Sequence, residues 1–310
     1  MDAAVKTIPN KKESILFGLV GLALLAFHCA SPPAPRFDGQ RAFADLLDQC
    51  RIGPRYPGSA GHREAKEYFL DKLSQTTSFV KVQEFVHSDQ EEGTELNLTN
   101  IIASYHPEKA RRVLLCAHWD TRPFADHDPD TTRREEPILG ANDGASGVAV
   151  LLEIARVVSR SEPRLGVDIV LFDGEDGGEA GDHEGFCLGS KHFARVKGGY
   201  QPEFGILLDM IGDKDLTVYK EAYSARYAGG LTDSVWARAK EMGLACFKDS
   251  VKHAVYDDHV PLLGAGIRVI DLIDFDYPHW HTTADTPDKC SPESLQKIGD
   301  LLLDILYKGI

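Results

Sequence analysis

The chain has 310 residues, 43% hydrophobic and 26% charged, enough for one large α/β domain or two smaller ones. Forty-eight acidic residues against 34 basic ones leave a net charge of −14. That balance argues against a nucleic-acid partner, which needs a basic face.

The N-terminus reads as an export signal. Lys6, Lys11 and Lys12 precede an apolar run over 15–27, and Cys29 and a proline-rich stretch follow. The run has thirteen residues, short of the roughly 17–25 that a spanning helix needs. Cys29 resembles a bacterial lipoprotein acceptor, with an uncleaved anchor or a cleaved signal as the alternatives. The expected organisation is therefore a signal or lipid anchor over 1–29, a stiff spacer over 30–36 and one catalytic domain over 37–310. The protein is expected to be exported, to touch the membrane only through its anchor, and to be a monomer. No cysteines stand in CxxC spacing, so a cysteine zinc site is not expected.

In chain order, helical spacing covers 37–50 and 62–73, separated by a Gly/Pro loop over 53–59. Strands are expected over 79–86 and 96–104. Val113 to Ala117 is a continuous apolar run, the pattern of a strand buried on both faces. It ends in His118-Trp119-Asp120, followed by a polar loop over 121–137. A glycine-rich turn, Gly140-Ala141-Asn142-Asp143-Gly144, then opens an apolar helix reaching about residue 160. A second apolar strand, 167–172, ends in Asp173-Gly174-Glu175-Asp176. An acidic loop and a helix over 189–196 follow. A third strand, 205–208, ends in Asp209. Next come a helix over 232–242 and the loop Tyr256-Asp257-Asp258-His259 before a short helix. A fourth strand, 267–273, leads to Tyr277-Pro278-His279-Trp280-His281. A helix over 292–307 closes the chain.

Strands alternating with helices imply a mostly parallel, mixed central sheet flanked by helices on both faces. Ligands of such sheets bind beyond the carboxyl ends of the strands, where the polar clusters of this chain fall. His118, Asp143, Asp176, Asp209 and His281 are the metal-ligand candidates, since carboxylates and imidazoles bind zinc. Glu175, beside Asp176, is suited to proton transfer. His183, His253 and His279 read as surface histidines, and Trp119 and Trp236 as packing residues.

The motifs Ala117-His118-Trp119-Asp120, Gly140-Ala141-Asn142-Asp143, Asp173-Gly174-Glu175-Asp176, Leu208-Asp209-Met210-Ile211-Gly212 and Trp280-His281-Thr282 resemble those of the M28 zinc-peptidase family, in the family's order. The family holds two chemistries, two-zinc aminopeptidases and one-zinc glutaminyl cyclases. Three features resemble the cyclase branch: the twelve residues between Asp176 and Gly189, the segment Tyr256-Asp257-Asp258-His259, and Trp280 before His281. The cyclases carry a tryptophan in that loop where this chain has Gly181, and a glutamine where it has Tyr256. The cyclase resemblance implies one zinc on Asp143, Asp176 and His281, with Glu175 as proton carrier. It also implies that Asp257, bonded to Asp209, assists the leaving group, and that Trp280, Tyr277 and Tyr256 line the substrate pocket. Peptide or protein N-termini would be the substrates. The aminopeptidase alternative adds a second zinc on His118 and Asp209, bridged by Asp143. A metal-free binding module on the same fold is a third reading. The family resemblance also implies a cis Asp143–Gly144 peptide.

Overall fold

The computed structural model describes residues 35–89, 93–179 and 183–310. The expected export signal with Cys29, most of the spacer, and Gly181 lie outside the described residues. Helices α1 (Gly39–Ile52) and α2 (Ala60–Ser74) precede strands β1 (Val80–Asp89) and β2 (Thr94–Tyr105). β3 (Arg112–His118), α3 (Ala145–Val158), β4 (Gly166–Phe172), α4 (Leu188–Val196) and β5 (Phe204–Asp209) follow. The C-terminal part holds β6 (Val218–Lys220), α5 (Ala222–Tyr227), α6 (Gly229–Glu241), β7 (Phe247–Val251), α7 (His259–Gly264), β8 (Val269–Ile273) and α8 (Pro292–Lys308).

The main sheet runs in the order β1-β2-β4-β3-β5-β8. Its four inner and C-terminal strands, β4, β3, β5 and β8, are mutually parallel, and the β1–β2 hairpin joins antiparallel to β4. The expected mixed, mostly parallel sheet is therefore what forms. The strand period of two divides β3 cleanly. Val113, Leu115 and Ala117 belong to the larger core, with α1, α3 and α8, while Leu114 and Cys116 belong to a second core with Phe193 of α4 and Leu262 of α7. Both faces are thus covered, which is why the run carries no polar alternation.

Three elements escaped the sequence pattern. α5 has six residues, too few to display a helical period, and is set by Glu221, whose carboxylate accepts from the backbone N–H groups of Tyr223 and Ser224. β6 and β7 form a separate two-stranded parallel ribbon. β7 is largely exposed, so it needed no apolar run.

α3 is the helix closest to the sheet, and only Arg156 of its fourteen residues is not fully buried. Gly147 makes this possible: a Cβ there would lie 2.4 Å from the Leu208 carbonyl oxygen and 3.0 Å from Ala117 Cβ. Gly147→Ala should therefore push α3 off β3 and β5 and lower stability by about 1–3 kcal/mol. Urea unfolding of the metal-free protein, compared with Ala149→Gly as a control on helix propensity, measures the effect.

Candidate active site

The four parallel strands end side by side, and each delivers polar groups to the same edge. β3 ends in His118, β5 in Asp209, β4 runs into Asp173-Gly174-Glu175-Asp176, and the loop after β8 carries His281. Asp143 arrives from the turn that enters α3, through a cis peptide to Gly144, as the resemblance implied.

Buried groups from distant parts of the chain fix these loops. Asp285 accepts the backbone N–H groups of Asn142 (2.9 Å) and Asp143 (3.1 Å), and takes the Tyr277 hydroxyl at 2.8 Å. Arg55 is fully buried and donates to the carbonyls of Trp119 (3.1 Å), Leu139 (3.1 Å) and Gly140 (2.9 Å). Asp120 accepts from the backbone N–H of Glu175 at 3.1 Å and of Asp176 at 3.3 Å, and its Oδ1 lies 3.7 Å from His118 Nδ1. Asp173 takes His62 Nε2 at 2.9 Å and the Thr99 N–H at 2.6 Å, while the His62 ring stacks on Trp119.

Two donor sets result, and Asp143 belongs to both: Asp143–Asp176–His281 and His118–Asp143–Asp209, all buried. His281 Nε2 is 3.2 Å from Asp176 Oδ1 and 4.0 Å from Asp143 Oδ2. His118 Nε2 is 3.1 Å from Asp143 Oδ1 and 3.2 Å from Asp209 Oδ1. The electrostatics are those of too many buried carboxylates. Burial and the neighbouring Asp143 outweigh His118 and push the Asp209 carboxyl up to about 7. Burial and the neighbouring Asp257 push Glu175 well above the carboxylate range. Burial opposes the His281 imidazolium, but Asp176, Asp126 and Asp143 outweigh it and raise the group to about 9. Asp176 Oδ2 is buried without a hydrogen-bond partner. A bound cation suits this donor set: it would satisfy that oxygen and replace protons held among the acids.

Beside the donors lies a cavity of about 210 Å³, lined by Asp143, Glu175, Asp176, Asp209, Asp257 and His281 on its polar side. Phe186, Val255, Tyr256, Phe275 and Trp280 form its apolar wall. The Trp280 ring lies 3.8 Å from the His281 ring. Two expectations are corrected. Tyr277 does not line the cavity: its ring is buried and its hydroxyl serves Asp285. His183 is exposed, as expected, and its ring also reaches the cavity rim, 4.4 Å from that of Tyr256. Asp257 is held elsewhere than by Asp209: one oxygen accepts the Asp258 N–H, the carboxyl pairs with buried Asp271, and Asp209 pairs with His118. Sequence reasoning also gave no role to Asp120, Asp285 and Arg55. Of these, only Asp120, two residues past His118 at the same strand end, carried a local signal.

The pattern of peptidase family M28 matches residues 100–306. A glutaminyl cyclase from Bacteroides thetaiotaomicron, solved with N-acetylhistamine, is 40% identical with a TM-score of 0.85, covering 88% of this chain and 99% of that one. A Zn-dependent exopeptidase from Parabacteroides distasonis is 37% identical at the same TM-score of 0.85, with coverage of 88% and 99%. The glutaminyl-peptide cyclotransferase of Bos taurus is 25% identical over 285 residues, 80% of this chain and 76% of the bovine protein. The chain belongs to peptidase family M28.

The shifted groups give a pH prediction for the metal-free protein. Asp209 and Asp285 are both raised to about 7, Asp285 chiefly by burial and by Asp143. Acids raised by folding bind protons more tightly in the folded state, so stability falls as pH rises from about 4 through 7. His281, raised to about 9, contributes stability that is lost as pH climbs from about 6.5 through 9. Both effects run the same way. The melting temperature of chelator-treated protein should fall between pH 5 and pH 9, and added zinc should raise it more at pH 8 than at pH 5. Differential scanning calorimetry across that range measures both.

Proposed function

We propose that this chain is a zinc-dependent glutaminyl cyclase, an acyltransferase that converts N-terminal glutamine of peptides or proteins to pyroglutamate and releases ammonia. One observation carries the reading. A buried Asp–Asp–His donor set and a shifted glutamate open together into a cavity of about 210 Å³ walled by aromatic rings. That space suits one side chain better than an extended peptide. The similarity to glutaminyl cyclases over most of the chain supports the same choice.

Asp143, Asp176 and His281 would hold zinc, which when bound supplies a Lewis acid for the γ-carboxamide carbonyl. The substrate's α-amine bonds to the carboxamide carbon, Cδ, and the bond from that carbon to the amide nitrogen breaks, so ammonia leaves. Glu175 takes a proton from the amine and delivers it to the departing nitrogen. Its raised proton affinity, set first by burial and then by Asp257, suits a group that must both take and give. Asp257 and Asp209 sit on the same polar wall, where they can bind the departing nitrogen. Trp280, Phe275 and Tyr256 hold the side chain against the donors and keep water out, and the confined amine gains from proximity.

A second reading, a two-zinc aminopeptidase, is favoured by the donor set His118–Asp143–Asp209. Two peptides separate them. The cyclase reading expects ammonia from a peptide beginning with glutamine, an unchanged chain length and no reaction with a leucine peptide. It also expects one zinc per chain. Free leucine without ammonia from the glutamine peptide overturns it in favour of the aminopeptidase. Asp143→Ala and His281→Ala should each lose zinc and activity, read by metal analysis. Glu175→Gln should retain zinc and lower kcat by about 10²–10⁴-fold.

From the sequence alone we also propose export and a membrane tether ending near Pro35. Among the described residues no helix is long and apolar enough to cross a membrane. Mass spectrometry of the mature protein tests the tether; intact, unlipidated residues from Met1 onward in soluble protein overturn it.

A further inference from the structure

Arg122 lies in the loop after β3 and is 1% exposed. Its Nε and Nη2 donate to the two carboxylate oxygens of Asp126 at 2.8 and 2.9 Å. Its Nη1 donates to both the backbone carbonyl and Oδ1 of Asp176, each at 3.1 Å. The Phe124 ring packs 4.2 Å from the guanidinium carbon, and the Phe186 ring lies on it at 5.6 Å. Asp126 Oδ1 in turn stands 3.3 Å from His281 Nδ1, within ion-pair reach of a ring nitrogen that has no other hydrogen-bond partner, and the next residue, His127, donates its backbone N–H to the His281 carbonyl at 3.1 Å. One buried cation therefore reaches two of the three donors of the Asp143–Asp176–His281 set, Asp176 directly and His281 through Asp126.

We infer that Arg122 and Asp126 act as one positioning unit for the metal, setting the ring orientation and tautomer of His281 and the seat of Asp176. A neutral imidazole has one proton. A carboxylate beside Nδ1 keeps the proton on that nitrogen, leaves Nε2 with its lone pair, and raises its basicity toward a metal. Asp126 can do this only if it is itself held, and the planar fork of arginine holds both of its oxygens at once, which a lysine cannot. The same guanidinium occupies Asp176 Oδ1 and leaves Oδ2 as a free buried donor. The Phe124 and Phe186 rings packed on the guanidinium favour the cation where both carboxylates are reached.

The inference rests on the proposal that this donor set holds zinc, and the test separates the two. Zinc affinity is measured by competition with a chromophoric chelator on the full chain, on Asp126→Asn, on Arg122→Lys and on the double variant. Melting of each metal-free form and the visible spectrum of each cobalt(II) form are recorded alongside. Each single variant should bind zinc roughly 10–100-fold more weakly. The double variant should be close to the weaker single one, because the two residues act through the same contacts. Metal-free melting of Asp126→Asn should change little, while its cobalt bands shift. A parent chain that takes up no zinc overturns the metal assignment and this inference with it. A parent that binds zinc while Asp126→Asn binds equally tightly, with unchanged cobalt bands, overturns the inference alone. If Arg122→Lys does not fold, Asp126→Asn still decides the matter.

Discussion

The arrangement at the edge of the sheet depends on one constraint: more buried carboxylates than the nearby basic groups can balance. Asp143, Glu175, Asp176, Asp209, Asp257 and Asp258 are all at most 9% exposed and are gathered around His118 and His281. Folding such a cluster without a counter-charge means holding protons on groups that would shed them in water. The fold tolerates this because the cost is met elsewhere, by two apolar cores that cover both faces of the sheet. The same cost makes the site receptive to a cation, since every proton displaced by metal relieves repulsion that is already present.

Around this charge cluster, backbone groups are held as firmly as side chains. Asp120 carries the N–H groups of Glu175 and Asp176, Asp285 those of Asn142 and Asp143, and Arg55 the carbonyls on either side of the turn. Each is a buried polar residue whose hydrogen bonds tie a donor-bearing loop to another part of the chain. This is where a parallel sheet helps: four adjacent strands ending on one side bring residues far apart in sequence to one edge without a long connection across the sheet.

Much of this was legible from the chain itself, and the failures share a cause. β3, β4 and β5 are buried on both faces, so their sequences are apolar runs, broken only in β4 by Asp168, which pairs with Arg112, and the residues where polarity returns at their carboxyl ends are the ones that meet at the site. Asp143, Asp176 and His281 follow from that reading together with the family's motifs. The second layer does not follow. Asp285 bonds a backbone 143 residues earlier, and Arg55 reaches a carbonyl 85 residues later, so neither sits in a local pattern. The cyclase resemblance implies a pocket wall at Tyr277, yet only the folded loop decides that its hydroxyl turns toward Asp285. His183 is exposed, as a histidine in a polar loop ordinarily is, but its ring contact with Tyr256 joins segments on opposite sides of α4 in sequence and has no local signature. β6 and β7 were missed because a short, exposed ribbon has no need of the apolar pattern that betrays a buried strand.

The hold of Asp285 on the turn at Asn142 and Asp143 also sets an order in time. His281 and Asp285 both follow β8, the last strand of the main sheet. A chain emerging from the ribosome or threading through a translocation pore can pair β3 with β4 and β5 before either residue arrives. Until they do, the turn at Asp143 lacks its clamp and the donor set lacks its histidine. Chain order thus lets the strands that lead to His118, Asp176 and Asp209 be made before the residues that complete and clamp the donor set.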